Sequence, residues 1–320
     1  MPTLLLTRSQ VSEMLEMPEV VNVIEKNFAA WARGKVVMPP KSYLTLEDGD
    51  FRAMPAAIPG AAGMKWVNVH PRNPVSGLPT VMAVIVYNDP ETGYPLAIMD
   101  GTDITALRTG AASAVASKYL ARSNSETLGL VGAGRQAYTQ LMAHATVFDL
   151  KKIKVYDIDT GAANRLAGDF PEFNIETCSL KDTVASDIVC TLTPVREPII
   201  MQRWVRPGTH INAVGADAPG KEELQPEILL DAKIVVDDLK QATTSGEINV
   251  PLSRGLLSPA RISVTLGEVV AGMKAGRDNP EQVTVFDATG LAFEDIACAG
   301  MVYRKASSRG DFTFLNFVDG

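Results

Sequence analysis

The run Gly132-Ala133-Gly134-Arg135-Gln136-Ala137 is a G-x-G-x-x-A motif between an apolar strand-like stretch, Leu128 to Val131, and a helix-like one, Gln136 to Val147. Small residues at such a junction let a backbone turn approach a pyrophosphate, and the free N–H groups of a helix start favour its charge. Asp157 follows Ala137 by 20 positions and ends the next strand-like run. A carboxylate there accepts from both ribose hydroxyls of a dinucleotide and repels a 2′-phosphate, which favours NAD over NADP. Gly132, Ala133, Gly134, Arg135, Gln136 and Asp157 are therefore the expected cofactor residues, with a ligand-free glycine turn as the bland alternative. Asp159 also reads as a solvated turn residue, and Arg165 as a helix-surface charge.

Other charged residues sit in stretches that otherwise read as buried. Lys65 lies in Gly63-Met64-Lys65-Trp66-Val67-Asn68-Val69, on one strand face with Val67 and Val69 if side chains alternate. A lysine on an apolar face needs an anionic partner or a depressed pKa, and both suit the binding of carboxylates or carbonyls. The alternative is an edge lysine snorkelling to water. Arg52 stands between Phe51 and Ala53-Met54-Pro55, and Arg108 within Thr105-Ala106-Leu107-Arg108-Thr109-Gly110. Each alone suits a structural salt bridge; with Lys65 they can form a carboxylate clamp. Asp217, in Gly215-Ala216-Asp217-Ala218-Pro219-Gly220-Lys221, follows the strand-like run His210 to Val214. Ligands of open parallel sheets bind beyond the carboxyl ends of the strands, although an Asx turn or a helix N-cap suits that spelling equally well. His70, His144 and His210 lack an H-x-x-x-H spacing, and Cys178, Cys190 and Cys298 lack a C-x-x-C, so neither a metal site nor a disulfide framework is expected.

These residues need two kinds of scaffold. Thr7 and Gln10 form a capping-box pattern, and Val21, Ile24, Phe28 and Trp31 then recur at helical steps. Short β-branched and aromatic runs from Tyr43 to Asp100, turning at Asp89-Pro90-Glu91-Thr92-Gly93, predict an antiparallel or mixed sheet. An Ala- and Ser-rich helix follows over Thr102 to Leu120. Beyond Ser125, strand and helix patterns alternate through Ile153 to Tyr156, Ile188 to Leu192, Ile234 to Val236 and Val283 to Phe286, the grammar of a doubly wound parallel sheet. The predicted fold is α/β: a Rossmann domain at 119–296 and a smaller α+β substrate and dimerisation domain at 1–118, to which 297–320 returns. The 320 residues suit two domains at roughly 150 each. A net charge of −7 disfavours nucleic acid and anionic membrane surfaces as partners. Leu4-Leu5-Leu6 is too short an apolar run for a signal sequence, and the cysteine usage favours a reducing cytoplasm.

The chain resembles the ornithine cyclodeaminase and mu-crystallin family along nearly its whole length. The segments that carry the resemblance are Met38-Pro39-Pro40-Lys41, Arg52-Ala53-Met54-Pro55, Lys65-Trp66-Val67-Asn68, His70-Pro71, Gly77-Leu78-Pro79-Thr80-Val81, Leu107-Arg108-Thr109-Gly110-Ala111, Gly132-Ala133-Gly134, Gly215 to Lys221 and Gly246-Glu247-Ile248. The resemblance implies a homodimer joined through the first domain, with substrate between it and the Rossmann domain. It implies that Lys65 and Asp217 serve the chemistry and that Arg108 binds the substrate carboxylate. Arg52, Lys41, Thr80 and Lys221 are further expected substrate contacts, and Thr109, Thr193, Val214 and Gly215 further cofactor contacts. Ornithine cyclodeaminases carry a glutamate two residues before the Met-Pro pair, where this chain has Arg52. A cation facing the distal ammonium of ornithine repels it, so a short substrate is favoured, as in the archaeal alanine dehydrogenase branch. The expected activity is NAD-dependent interconversion of L-alanine, or a similar amino acid, with its 2-oxo acid and ammonia. Pyrroline-2-carboxylate reduction, ornithine cyclodeamination and non-catalytic ligand binding are the alternatives.

Overall fold

The computed structural model describes residues 2–262 and 264–316. The chain divides into two units, one made of residues up to Arg108 together with those from Leu291 onward, the other of Thr109–Gly290. In chain order, the first unit begins with β1 (Thr3–Leu6), α1 (Arg8–Glu13), α2 (Met17–Ala32), β2 (Ser42–Leu46), β3 (Gly49–Ile58), β4 (Ala61–Val69), β5 (Val81–Asn88) and β6 (Pro95–Asp100). Helix α3 (Thr102–Leu120) crosses the division. The second unit continues with β7 (Thr127–Val131), α4 (Arg135–Ala145), β8 (Lys152–Tyr156), α5 (Thr160–Asp169), β9 (Ile175–Thr177), α6 (Leu180–Val184), β10 (Ile188–Thr191) and β11 (His210–Ala213). After these come α7 (Pro226–Asp231), β12 (Lys233–Val236), α8 (Leu239–Ser245), α9 (Asn249–Ser253), α10 (Leu266–Val270) and β13 (Thr284–Asp287). The chain then re-enters the first unit through α11 (Ala292–Arg309) and β14 (Thr313–Leu315).

In the first unit β2 to β6 form an antiparallel meander, β1 joins β6 in parallel, and β14 pairs antiparallel with β1. The mixed sheet therefore runs β14-β1-β6-β5-β4-β3-β2. Thr7 and Gln10 make the expected capping box at the start of α1, and Val20, Val21, Ile24 and Phe28 form the buried stripe of α2. Strand pairing sets Arg52 opposite Val67, and Lys65 between Met54 and Ile85, so Arg52, Met54, Lys65 and Ile85 share one face. The side chain of Phe293 on α11 meets Phe28 edge-on at 5.2 Å between ring centres. On the opposite face Met64, Trp66 and Val84 remain exposed.

The second unit is a parallel sheet in the order β12-β13-β11-β10-β7-β8-β9. Strands β10, β11 and β13 are buried throughout, as expected for a sheet covered on both faces. The chain leaves β7 in one direction through β8 and β9 and in the other through β10 and β11, which makes the β7–β10 junction the topological switch point.

The division falls earlier than expected at both crossings, at 108/109 and 290/291 rather than 118/119 and 296/297. The later part of α3 is bound to α4: Ser113 accepts from Gln140, Ser117 bonds His144 at 2.8 Å, and a Cβ on Gly110 would stand 2.4 Å from the Thr139 carbonyl oxygen. The first turn of α11 belongs to the other unit because Phe293, Glu294 and Asp295 are all buried there. Residues 317–320 of the expected returning segment lie outside the described residues. Burial lowers His144 to about 4 and His210 to about 3, so both are neutral hydrogen-bonding groups of the interior. Among the described residues no helix is long and apolar enough to cross a membrane.

Candidate active site

Lys65 is completely buried in the middle of the first sheet, which excludes the edge-lysine alternative. Its Nζ lies 2.8 Å from each carboxylate oxygen of Asp295 and donates to Oδ1. Burial pushes the Lys65 ammonium down to about 7, against the opposing pull of Asp295, with the Arg108 charge adding to the depression. Such a lysine exchanges protons near neutrality, as general acid–base chemistry requires. Arg108 donates from Nε to the same Asp295 oxygen at 3.1 Å and from Nη1 to Glu294 at 2.8 Å, leaving Nη2 outside both pairs. Two cations thus converge on two adjacent acids of α11.

Arg52 is nearly buried on the same sheet face and donates from Nε to Asp50 at 2.7 Å, with Tyr43 beneath its guanidinium. Thr80 precedes β5 and accepts from the His70 N–H through its carbonyl, and Lys41, half-buried, precedes β2. In the second unit Asp217 lies in a turn beyond β11, where no helix begins, so the N-cap alternative is not realised. Lys221 Nζ stands 2.6 Å from Asp217 Oδ1, an i,i+4 ion pair that fixes the carboxylate at a strand end.

At the glycine turn Gly132 takes φ +104°, a left-handed conformation that favours glycine, and a Cβ there would press on the Leu192 carbonyl oxygen at 3.2 Å. Gly134 has open space on its Cβ side and forms the N-cap of α4 without a side-chain bond. Asp157 accepts from the Ala133 N–H at 2.6 Å and from the Asp159 N–H at 2.8 Å, tying the end of β8 to the turn. Ile158 beside it is almost fully exposed and offers no cation to a 2′-phosphate. These residues fit a dinucleotide: a bare turn, an open helix start and a carboxylate at the second strand end. Asp159 is the N-cap of α5 and pairs with Arg165, so both have local roles.

Thr193, Val214 and Gly215 follow β10 and β11 at their carboxyl ends, while Thr109 lies on α3 and accepts from Ser113 through its carbonyl. Gln136 accepts from the Thr139 hydroxyl, and Arg135 is exposed at the start of α4. Sequence reasoning missed Glu294 and Asp295. Their signal was a pair of adjacent acids within the apolar run Leu291 to Gly300.

A model of the ornithine cyclodeaminase/mu-crystallin family matches residues 1–310. The alanine dehydrogenase of Archaeoglobus fulgidus is 51% identical over 319 residues, 99% of each chain. A solved archaeal alanine dehydrogenase dimer with bound NAD superposes with a TM-score of 0.98 at 49% identity, over 99% of this chain and all of that one. The Thermococcus litoralis Δ1-pyrroline-2-carboxylate reductase, solved with NADH and L-proline, gives a TM-score of 0.94 at 40% identity over 97% and 99% of the two chains. The chain belongs to the ornithine cyclodeaminase/mu-crystallin family.

Proposed function

We propose that the protein is an NAD-dependent alanine dehydrogenase, interconverting L-alanine with pyruvate and ammonia. The observation that carries the chemistry is Lys65, buried, held by Asp295 and depressed to about 7. Bound NAD supplies the hydride acceptor, and NADH the donor. As an ammonium, Lys65 polarises the carbonyl of the oxo acid and donates to its oxygen; as an amine it takes the proton back in the reverse direction. Arg52 and the free Nη2 edge of Arg108 hold the substrate carboxylate, with Lys41 and Thr80 as further contacts. Asp217, oriented by Lys221, moves the proton of the attacking or leaving amine or water. The full-length identity to an alanine dehydrogenase and the cation at Arg52 support alanine as substrate.

The protein acts as a homodimer. Met64, Trp66 and Val84 on the open face of the first sheet supply an apolar surface for a second copy. The three free thiols Cys178, Cys190 and Cys298 suit the cytoplasm. Reduction of pyrroline-2-carboxylate is the second reading, supported by the 40% identical reductase. Initial rates of NAD reduction with L-alanine and with L-proline separate these readings. Alanine-dependent reduction faster than proline-dependent reduction supports the proposal, and a preference for proline replaces it with the second reading.

A further inference from the structure

Glu223 is a fully buried carboxylate with no lysine, arginine or histidine among its partners in the described residues. Four donors fill it instead. Its Oε1 accepts from the Thr193 N–H at 2.8 Å and the Thr193 hydroxyl at 2.6 Å; its Oε2 accepts from the Thr191 hydroxyl at 2.7 Å and the Gly215 N–H at 2.9 Å. Thr191 ends β10, and Gly215 lies two residues beyond β11, so one carboxylate spans the carboxyl ends of two adjacent parallel strands. Gly215 has to be a glycine here: a Cβ would stand 2.5 Å from Glu223 Oε2 and 2.2 Å from the Thr193 carbonyl oxygen.

Glu223 is itself held from behind. Its carbonyl accepts from Ile199 and Ile200, and its N–H donates to Glu247, which also accepts from Leu224. Glu247 and Ile248 in turn donate their N–H groups to Asp287 at the end of β13. Burial raises all three acids of this relay, Asp287 to about 8, Glu247 well above its ordinary value and Glu223 in the same direction. The relay leads to the glycine turn, because Leu192, next to Thr193, donates to the Val131 carbonyl and packs against Gly132.

We propose that Glu223 is a positioning residue for the dinucleotide, fixing the loops after β10 and β11 against the glycine turn. This rests on the reading of the chain as an NAD enzyme. Glutamine cannot replace it, because backbone N–H groups meet both oxygens. Either amide orientation points an NH2 at one of them and releases one loop.

The test uses the full chain and NADH fluorescence titration. Glu223→Gln should weaken NADH binding roughly tenfold, the scale of one buried donor left unpaired. Thr193→Val should weaken it less, and the two losses should not add, because both act on one loop. If Glu223→Gln does not fold, Glu223→Asp, which withdraws both oxygens, carries the same criterion. NADH affinity within twofold of wild type in a folded variant, or strictly additive losses, overturns the proposal and leaves Glu223 a stabilising role only. A wild-type chain that binds no NADH overturns the functional reading and this assignment together.

Discussion

Lys65 on β4 and Asp295 on α11 are separated by 230 residues of chain and meet at 2.8 Å, both shut off from solvent. Burial disfavours the ammonium, and the aspartate keeps it from falling further. In alanine oxidation Lys65 must be neutral to accept a proton, so kcat should rise with pH through about 7. Asp295→Asn removes a charge that favours the ammonium and should move this limb to lower pH. A limb that stays in place or moves up in the pH–rate profile contradicts the assigned cause.

Lys65→Met should lower kcat about 100- to 1000-fold, the cost of a charge-assisted contact made mainly in the transition state. NADH affinity should stay near wild type, because Lys65 belongs to the first unit and the glycine turn to the second. Steady-state kinetics with a parallel NADH titration separates the two effects.

Arg52→Glu should exchange specificity. Beside Asp50, a second carboxylate on that sheet face attracts the distal ammonium of ornithine and repels the carboxylate of pyruvate. Competition measurements should show weaker pyruvate binding and stronger ornithine binding. Unchanged inhibition constants for both would remove Arg52 from the substrate contacts.

Asp157→Ser should relax the cofactor preference. Wild type should show a lower KM for NADH than for NADPH, and the substitution should narrow that ratio by about tenfold or more by removing the charge facing a 2′-phosphate. It also removes the acceptor of the Ala133 N–H, so some loss of NADH affinity accompanies the change.

Trp66→Arg with Val84→Glu should yield monomers by light scattering at concentrations where wild type is dimeric. The two side chains pair across β4 and β5 on the open sheet face. Persistence of the dimer would place the subunit contact elsewhere.

Much of this architecture was legible because its signals are local. The strand, glycine turn and helix from Leu128 to Val147 fall where the spacing predicts them, and Lys65 stood out as a cation in an apolar strand. Its partner did not, because Asp295 joins it only through the return of α11 to the first sheet, a long-range pairing that periodicity does not encode. The same holds for Glu223. Its neighbours Thr191, Thr193 and Gly215 come together only once β10 and β11 lie side by side. The β1 and β14 strands were likewise unforeseen: three or four residues each, they are defined by long-range pairing, β1 with β6 and β14 with β1, rather than by pattern.

Alanine dehydrogenase activity is decided by incubating the protein with NADH, pyruvate and 15N-labelled ammonium and identifying the product. L-Alanine carrying the label should form, one molecule for each NADH oxidised. No labelled alanine, with NADH instead consumed on pyrroline-2-carboxylate or ornithine converted to proline without net NADH change, would contradict this activity.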